Sequence, residues 1–276
     1  MTSLPSQSHE PFYPSGHHSS VLASHRTRTA SNSAPHLLPH LHSTDTLLDV
    51  GCGPGSLTCS FAPHVAQVVG VEHPSAGEAV LEGARADAAS QGLLQDIVTF
   101  LFADALALPF ADNSFDVVYC HQVLQHVPDP IGVLKEMRRV SKRLVAAREA
   151  DRGTFVAYPD EGFIRRCDEL WYGVARAGGG EPDAGRRLKS WALEAGFAPE
   201  EVEASTGSTC PGPKVWSEMW AQRTVETGFA QKAIELGLSN EDELKSIAEG
   251  WKKWGQGKDA WFGYVQGDLL AWKKRD

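Results

Sequence analysis

Three closely spaced glycines follow an apolar run of β type near residue 50. The run, residues 47–50, stops at Gly51, Gly53 and Gly55, and residues that can start a helix come next. This order predicts a strand, a tight turn and a helix N-terminus, where backbone N–H groups can approach a ligand closely. An ordinary loop between a strand and a helix is the alternative, because glycine-rich turns are common. The stretch therefore indicates a nucleotide-type cradle, and the following strands must support it.

Two carboxylates lie at the ends of later apolar runs. Glu72 ends the run 67–72 and lies 21 positions after Gly51. In nucleotide-binding βαβ units an acidic residue about 20 positions on accepts hydrogen bonds from the ribose hydroxyls. Asp104 follows the run 97–102, where it can accept a hydrogen bond from an adenine amino group. The alternatives are a surface carboxylate at a strand end for Glu72 and a cap of the next turn for Asp104.

Predicted strands alternate with predicted helices through this half of the chain. The helices are expected at 57–64, 77–91 and 130–141, and the later strands at 115–120 and 144–149. This alternation predicts an α/β fold with a mostly parallel sheet that is covered by helices on both faces. Ligands bind at the carboxyl ends of the strands in such sheets. All the polar candidates lie at those ends, namely the glycine loop, Glu72, Asp104, His121 and Glu149.

Several motifs together carry a family resemblance. The glycine loop reads Leu-Leu-Asp-Val-Gly-Cys-Gly-Pro-Gly, residues 103–105 read Ala-Asp-Ala, and residues 108–118 read Leu-Pro-Phe-Ala-Asp-Asn-Ser-Phe-Asp-Val-Val. With Glu72, these motifs resemble the class I S-adenosylmethionine-dependent methyltransferases, most of all the ubiquinone and menaquinone biosynthesis group. Ser56 occupies the position of the third glycine in the dehydrogenase fingerprint. The resemblance covers about residues 24–210.

The resemblance implies a Rossmann-like sheet of seven mostly parallel strands, preceded by N-terminal helices within residues 21–45. It implies S-adenosyl-L-methionine as cofactor, S-adenosyl-L-homocysteine as product and no metal. His121 is the candidate catalytic base, with lining of the cofactor pocket as the alternative, and Arg28 is the candidate for the methionine carboxylate. The implied cofactor-binding residues are Arg28, Asp49, Gly51, Cys52, Gly53, Gly55, Glu72, His73, Asp104, Ala105, His121 and Gln122.

Three further stretches, residues 26–34, 147–151 and 179–187, resemble a fungal branch of that group. This branch includes enzymes that S-methylate the thiols of reduced epidithiodiketopiperazines such as dithiol gliotoxin. The resemblance therefore implies a small secondary metabolite as the methyl acceptor. One departure lies before the fifth strand, where the group usually has Lys-Pro-Gly-Gly and this chain has only Ser-Lys-Arg at 141–143.

The C-terminal part of the chain predicts an insertion between the last two strands. A sixth strand is expected at 201–206 and a seventh at 261–272, paired as a hairpin in this class. Residues 211–258 must then be inserted, and their pattern predicts three helices, at 215–227, at 229–236 and from a Ser239 cap to Trp254.

Tryptophans recur at helical spacing within the predicted insertion. They indicate either the packing stripe of a small helical subdomain or an aromatic lid that encloses a flat or apolar acceptor. The candidate acceptor-binding residues are Tyr13, Trp171, Trp216, Trp220 and Trp254.

Composition limits the kinds of partner. The net charge of −9 in 276 residues argues against nucleic acid and anionic membranes, and no apolar run is long enough for a membrane helix. The five cysteines are scattered without a CxxC pair, which favours a reducing cytoplasm over a disulfide framework or zinc site. We expect a mobile arm at 1–20, a catalytic domain at 21–210 and 259–276, a lid at 211–258, and a monomer or weak dimer.

The nucleophile decides how much acid–base chemistry is needed. A thiol with a pKa near 8.5 is already partly ionised at neutral pH, so it needs a weak base or none. The site offers only His121, His126 and Glu149 as evident acid–base groups, which favours an easily ionised acceptor. O- or C-methylation of a phenol or quinol and a non-catalytic cofactor-binding regulator remain alternatives. A nicotinamide oxidoreductase is disfavoured by Ser56.

Overall fold

The computed structural model describes residues 19–274, and its centre is one eight-stranded sheet. The apolar runs of the sequence form its parallel part, in the order β3-β2-β1-β4-β5, and β8 pairs antiparallel with β5. The strands are β1 Thr46–Val50, β2 Gln67–Glu72, β3 Val98–Phe102, β4 Phe115–His121, β5 Ser141–Ala150, β6 Val156–Tyr158, β7 Val202–Thr209 and β8 Trp261–Trp272.

Helices cover both faces of the sheet because successive side chains of each strand point to opposite faces. Leu48 packs in one core with Met137 and Leu188, whereas Leu47 packs in another with Phe61. The helices are α1 Ser19–His25, α2 Ala30–Ser33, α3 Ser56–Phe61, α4 Glu78–Ser90, α5 Pro130–Val140, α6 Gly162–Ala177, α7 Ala184–Glu194, α8 Pro213–Glu226, α9 Gly228–Glu235 and α10 Glu241–Trp254. The Rossmann-like fold predicted from the sequence is confirmed.

Two local expectations differ from the structure. The sheet has eight strands, whereas the sequence predicts seven, and the additional strand is β6. The sequence did not reveal β6 because a run of three residues gives no periodic signal. The helix α10 is capped by Asn240, whose side chain accepts from the Glu243 N–H at 3.0 Å, and not by Ser239. Ser239 donates instead to the Glu243 carboxylate at 2.7 Å.

The shortened turn before β5 coincides with a register shift between β4 and β5, since Phe115 pairs with Ser141 and Val117 pairs with Leu144. The helix α5 ends at Val140 and β5 begins at the next residue, Ser141, so residues 141–143 belong to the strand itself. The turn lies at the start of β5, whereas the polar candidates lie at the strand's other end.

The helices α8, α9 and α10 lie between β7 and β8, where the sequence predicts three helices. Their apolar side chains form a separate core with α6 and the start of β8, in which Trp171, Trp220, Trp251 and Phe262 are buried. Within residues 19–274, no helix combines the length and apolar character needed to cross a membrane.

A buried ion pair ties β5, β8 and the N-terminal segment together. The Arg148 guanidinium donates from Nε and Nη2 to the Asp268 carboxylate at 2.5 and 2.8 Å, and both side chains are under 5% exposed. It also donates to the Asn32 carbonyl at 3.2 Å. His36 also lies near the Asp268 carboxylate. Its Nδ1 is 3.5 Å from Asp268 Oδ1, the oxygen that accepts from Arg148 Nε.

Replacing Arg148 by Met is expected to lower the free energy of unfolding by about 3–5 kcal/mol, because it leaves the Asp268 carboxylate buried without its cation. The matched control is Lys252→Met, which removes an exposed partner of Glu249 and is expected to change stability by about 0.5 kcal/mol or less. Urea unfolding of the two variants measures the difference. Equal losses of unfolding free energy in both variants would show that the buried ion pair contributes no more to stability than the exposed one.

Candidate active site

A cavity of about 280 Å³ opens at the carboxyl ends of β1, β2 and β4. The sequence elements that end there, the glycine loop and the segments after β2, β3 and β4, form its walls. Every predicted cofactor residue except Gly55 lines it, namely Arg28, Asp49, Gly51, Cys52, Gly53, Glu72, His73, Asp104, Ala105, His121 and Gln122. The structure therefore brings together residues that are up to 94 positions apart in the sequence, as the Arg28–Gln122 hydrogen bond shows.

The glycine loop has the backbone conformation that its composition predicts. Gly51, Gly53 and Gly55 have φ values of +73°, +53° and +77°, which are favourable mainly for glycine. A Cβ at Gly55 would lie 2.7 Å from the Phe100 ring and 2.8 Å from the Ala84 Cβ. Gly55 therefore allows the loop to pack on β3 and α4, which is a packing role and not the predicted place in the cavity wall.

The Glu72 carboxylate faces the glycine loop. Its Oε2 accepts from the Gly53 N–H at 2.7 Å, and its Oε1 accepts from the His73 N–H at 2.9 Å. Each carboxylate oxygen has a further lone pair, so the group can still accept hydrogen bonds from a diol. A glycine turn with a fixed carboxylate beside it fits the ribose of a nucleoside cofactor.

Asp104 and Asp49 also line this cavity, but both have protein partners. Asp104 is exposed and its Oδ1 accepts from the Leu106 N–H at 2.8 Å, so it caps the turn after β3 as well as facing the cavity. Asp49 is buried and accepts from the Thr58 hydroxyl at 2.6 Å. Burial raises the pKa of Asp49 to about 7, although the Thr58 hydrogen bond opposes the rise.

Glu149 holds the segment that follows β4. Its fully buried carboxylate accepts from the N–H groups of Val123 and Leu124, both at 2.8 Å, and of Gln125 at 3.3 Å. Burial raises the pKa of Glu149 to about 7 against the effect of these three donors. The carboxylate thus positions the backbone between His121 and His126.

Gln122 connects Arg28 with β8. It has φ +56°, a value uncommon for a residue with a side chain, and this turn starts the segment that Glu149 holds. Its Oε1 accepts from Arg28 Nη2 at 2.7 Å, and its Nε2 donates to Gln266 at 3.3 Å. These contacts fix Arg28 in the lining of the cavity.

A second, larger chamber of about 750 Å³ adjoins the first. The two share a wall made of His25, Arg28, His121, Gln122 and His126. Predicted acceptor residues Trp171, Trp216 and Trp220 line this chamber, as do Phe155 and Tyr264, which sequence reasoning missed. We name it the aromatic chamber.

Two predicted acceptor residues are not found in the aromatic chamber. Trp254 is buried against Trp251, and its indole N–H donates to the Pro159 carbonyl at 3.0 Å, so it serves the packing of the helical subdomain. Tyr13 lies outside the residues that the structure describes.

Three imidazoles in the shared wall are uncharged at neutral pH. Burial lowers the pKa of His126 to about 3 and the pKa values of His25 and His121 well below 6.5. The positive charge of Arg28 lowers all three further, and that of Arg223 lowers His25 and His126. Nδ1 of His121 is buried and has no hydrogen-bond partner. A neutral imidazole can accept a proton from an acceptor molecule.

Two arginines lie against the tryptophans of the aromatic chamber. The Arg152 guanidinium is 4.9 Å from the Trp171 ring centre and 4.8 Å from that of Trp220, and it is ion-paired with Asp168. The Arg223 guanidinium is 5.0 Å from Trp220 and 5.7 Å from Trp171. Both side chains are under 10% exposed.

The sequence analysis did not identify these arginines as chamber residues, although the sequence contains a signal for Arg223. Trp216, Trp220 and Arg223 are spaced i, i+4 and i+7, which places them on one face of a helix. The carboxylate among the chamber-lining residues of 19–274 is Glu218, which is exposed. No group of three or more His, Cys, Asp or Glu side chains in that range is arranged to hold a metal ion.

Comparisons with known proteins find methyltransferases. Residues 48–144 match a methyltransferase-domain family. An uncharacterized methyltransferase of Schizosaccharomyces pombe is 31% identical over 95% of this chain and 97% of its own length. A probable methyltransferase of Aspergillus luteorubrus is also 31% identical, over 95% and 97% of the two chains. Phosphoethanolamine N-methyltransferase 2 of Haemonchus contortus, solved with phosphomonomethylethanolamine and S-adenosylhomocysteine, shares the fold over 91% of this chain and 53% of its own, with TM-score 0.52 and 18% identity.

Replacing Glu72 by Gln is expected to weaken the binding of S-adenosylhomocysteine about 10- to 100-fold, because one carboxylate oxygen is replaced by an amide NH2 group, which donates hydrogen bonds and cannot accept them. Isothermal titration calorimetry measures the affinity. Glu78→Gln, at an exposed ion pair with Arg85, is the matched control and should bind within about twofold of the wild type. Unchanged affinity in Glu72→Gln would contradict a role in cofactor binding.

Replacing Glu149 by Gln is expected to flatten the pH dependence of stability. The folded pKa of about 7 exceeds the ordinary value of 4.5, so the stability from this group is complete below the ordinary pKa and is lost as pH rises through 7. Between about pH 5 and 7, the unfolding free energy of the wild type should fall with rising pH more steeply than that of Glu149→Gln. The difference in slope is up to about 1.4 kcal/mol per pH unit. Urea unfolding across this range tests it, and parallel profiles would contradict it. Asp49 titrates similarly in both proteins and cancels.

Proposed function

The chain belongs to the class I S-adenosylmethionine-dependent methyltransferases, and we propose that it methylates a thiol sulfur of a small molecule bound in the aromatic chamber. The acceptor is a secondary metabolite with free thiols, of the type of reduced gliotoxin. The observation that carries this proposal is the charge of the chamber lining, whose described charged side chains are Arg28, Arg152, Arg223 and the exposed Glu218. Such surroundings favour an acceptor that reacts as an anion.

S-adenosylmethionine is the cofactor, and when bound it supplies an electrophilic methyl carbon on a sulfonium. In the proposed arrangement Glu72 accepts hydrogen bonds from the ribose hydroxyls, and the glycine loop lies along the cofactor. Asp104 is assigned to the adenine amino group and Arg28 to the methionine carboxylate. Both assignments agree with the lining of the smaller cavity.

The charge of the chamber favours a thiol over an amine. A thiol has a pKa of about 8.5, and a neighbouring cation lowers it further, so much of the bound acceptor is thiolate at neutral pH. An amine would have to lose a proton to react, and its ammonium form is repelled by the arginines. A thiol that binds un-ionised loses its proton to water, because burial and the charge of Arg28 lower the pKa of His121, the candidate base, and so weaken it as a proton acceptor.

The tryptophans position the acceptor and exclude water. We propose that the partly exposed Trp216 offers an apolar face to the body of the molecule, supported by the buried Trp171 and Trp220. Its reacting atom then lies at the shared wall, beside the cofactor cavity. Holding two reactants in line supplies a large part of the acceleration in such a displacement. A second chamber of this kind also argues against a non-catalytic regulator, which needs no acceptor site.

A second candidate function is O-methylation of a phenol or quinol. The same arginines that favour a thiolate would stabilise a phenolate, and the tryptophan faces suit an aromatic ring. The phenol starts from a pKa near 10, so the chamber must lower it further than it must lower that of a thiol. We therefore place the thiol first.

We also propose that the protein acts in the cytoplasm as a monomer or weak dimer, with a small-molecule partner and without nucleic acid or membrane. The net charge of −9 supports the absence of polyanionic partners. The five cysteines are all unpaired thiols, which supports a reducing compartment.

An acceptor panel tests the function. The protein with S-adenosylmethionine is offered benzyl mercaptan, 4-methylphenol and benzylamine, which match in size, together with reduced gliotoxin. We expect S-methyl products from both thiols, at least about tenfold less O-methyl product, and no N-methyl product, as read by mass spectrometry. Methylation of oxygen or carbon acceptors alone would overturn the thiol proposal.

A further inference from the structure

We propose that the Tyr264 hydroxyl donates a hydrogen bond to a carbonyl oxygen on the body of the acceptor, and so selects acceptors that carry a ketone or an amide. The inference deepens the proposed function and rests on it only in placing the acceptor in the aromatic chamber. Tyr264 lines this chamber and is 9% exposed, whereas the described lining of the smaller cavity does not include it. The group that it binds therefore lies away from the reacting atom.

The pairing of β7 with β8 sets three polar side chains on one face of the sheet. Thr209 is directly opposite Tyr264 in this antiparallel pair, so the two side chains point to the same face. Gln266 follows two residues after Tyr264 on β8 and shares that face. All three side chains line the chamber, and Gln266 is only 3% exposed. They therefore form a polar patch in the chamber wall.

A relay of hydrogen bonds fixes the orientation of the groups in this patch. Arg28 Nη2 donates to Gln122 Oε1 at 2.7 Å, and a guanidinium can only donate. The amide nitrogen of Gln122 must then face Gln266, to whose Oε1 it donates at 3.3 Å. The amide nitrogen of Gln266 in turn donates to the Thr209 hydroxyl oxygen. Every donor in the relay therefore points from Arg28 toward Thr209.

The relay ends at Tyr264. The Thr209 oxygen accepts from Gln266, so its own hydrogen is available to Tyr264 across the strand pair. Burial raises the pKa of Tyr264, and hydrogen bonds from Gln122 and Thr209 oppose the rise, as donors to a phenol oxygen do. A phenol oxygen has two lone pairs and one hydrogen, so two such donors leave it with the hydrogen to give. The Tyr264 hydroxyl is therefore oriented as a donor.

Aromatic neighbours hold the Tyr264 ring in place. The ring centre lies 5.8 Å from that of Trp216 in a stacked arrangement and 4.8 Å from that of Phe155, and both neighbours line the chamber. A hydroxyl held by its ring and by the relay offers its hydrogen at one place. A carbonyl oxygen, which only accepts, matches it. A hydrocarbon group in the same place would leave the hydroxyl unpaired, which costs free energy.

The first test measures binding without turnover. The protein saturated with S-adenosylhomocysteine is titrated calorimetrically with 4-acetylbenzyl alcohol and 4-isopropylbenzyl alcohol, which are similar in shape and differ in the carbonyl group. Tyr264→Phe is expected to weaken binding of the acetyl probe about five- to tenfold and to change that of the isopropyl probe by about twofold or less, because only the acetyl probe loses a hydrogen bond. Tyr158→Phe, at an exposed tyrosine outside the described lining of both cavities, should behave as wild type.

The infrared spectrum of the bound acetyl probe needs no variant and so does not depend on the folding of one. In the wild type the carbonyl band is expected at lower frequency than in hexane, because a hydrogen bond weakens the C=O bond. A band at the hexane position, or a wild-type protein that does not bind the acetyl probe, would overturn the inference. So would equal changes in affinity for both probes in Tyr264→Phe, provided that this variant binds S-adenosylhomocysteine and melts as the wild type does.

The second test separates this inference from the proposed function. With S-adenosylmethionine and the two matching mercaptans, Tyr264→Phe should lower kcat/KM for 4-acetylbenzyl mercaptan about five- to tenfold and leave that for 4-isopropylbenzyl mercaptan within about twofold. Thiol methylation with equal changes for both mercaptans removes the inference and leaves the function intact. No thiol methylation by the wild type, together with carbonyl-selective binding that depends on Tyr264, removes the function and leaves the inference intact.

Discussion

The carboxylate of Glu149 accepts hydrogen bonds from three successive backbone N–H groups, and the wall between the two cavities depends on it. The segment that it holds starts at Gln122, whose positive φ turns the chain out of β4, and ends at His126. The neighbouring residue Arg148 ties the N-terminal segment to the sheet through Asp268 and Asn32. The end of β5 therefore fixes both sides of the same wall. A shift there would move the reacting atoms apart, and such displacements are costly in a reaction that depends on alignment.

The electrostatics of the site follow from what is buried there. Buried carboxylates and imidazoles are both pushed toward their neutral forms, as the raised pKa of Glu149 and the lowered pKa of His126 show. Guanidinium groups resist this because they keep their charge at any ordinary pH. Among the buried lining residues of the described chamber, the charges that persist are consequently positive, since the lining carboxylate Glu218 is exposed, although the chain as a whole is acidic. The net charge of the chain therefore does not indicate which nucleophile reacts, whereas the charges that line the chamber do.

Local rules sufficed for the parts of the site that lie near one another along the chain. Gly51 and Glu72 were predictable because glycine turns and strand-end carboxylates act over a short span of sequence. The aromatic chamber was predictable only in part, since helical spacing alone does not show which face of a helix meets the cavity. Trp220 and Trp254 carry the same pattern, yet Trp220 lines the chamber and Trp254 packs within the subdomain. Arg223 belongs to the chamber because of contacts with Trp171, which lies on another helix and which no local rule specifies.

The pairing of arginine with tryptophan resolves a conflict in the chemistry that we propose. An apolar body must be bound, which requires an apolar chamber, while its reacting atom must ionise, which an apolar chamber opposes. Tryptophan faces satisfy the first requirement and also attract a cation, so Arg223 lies almost buried against them. Arg152 adds a second guanidinium near the same two rings while Asp168 offsets its charge. The result is a lining that combines apolar ring faces with two buried guanidinium groups, which is the combination that the proposed chemistry requires.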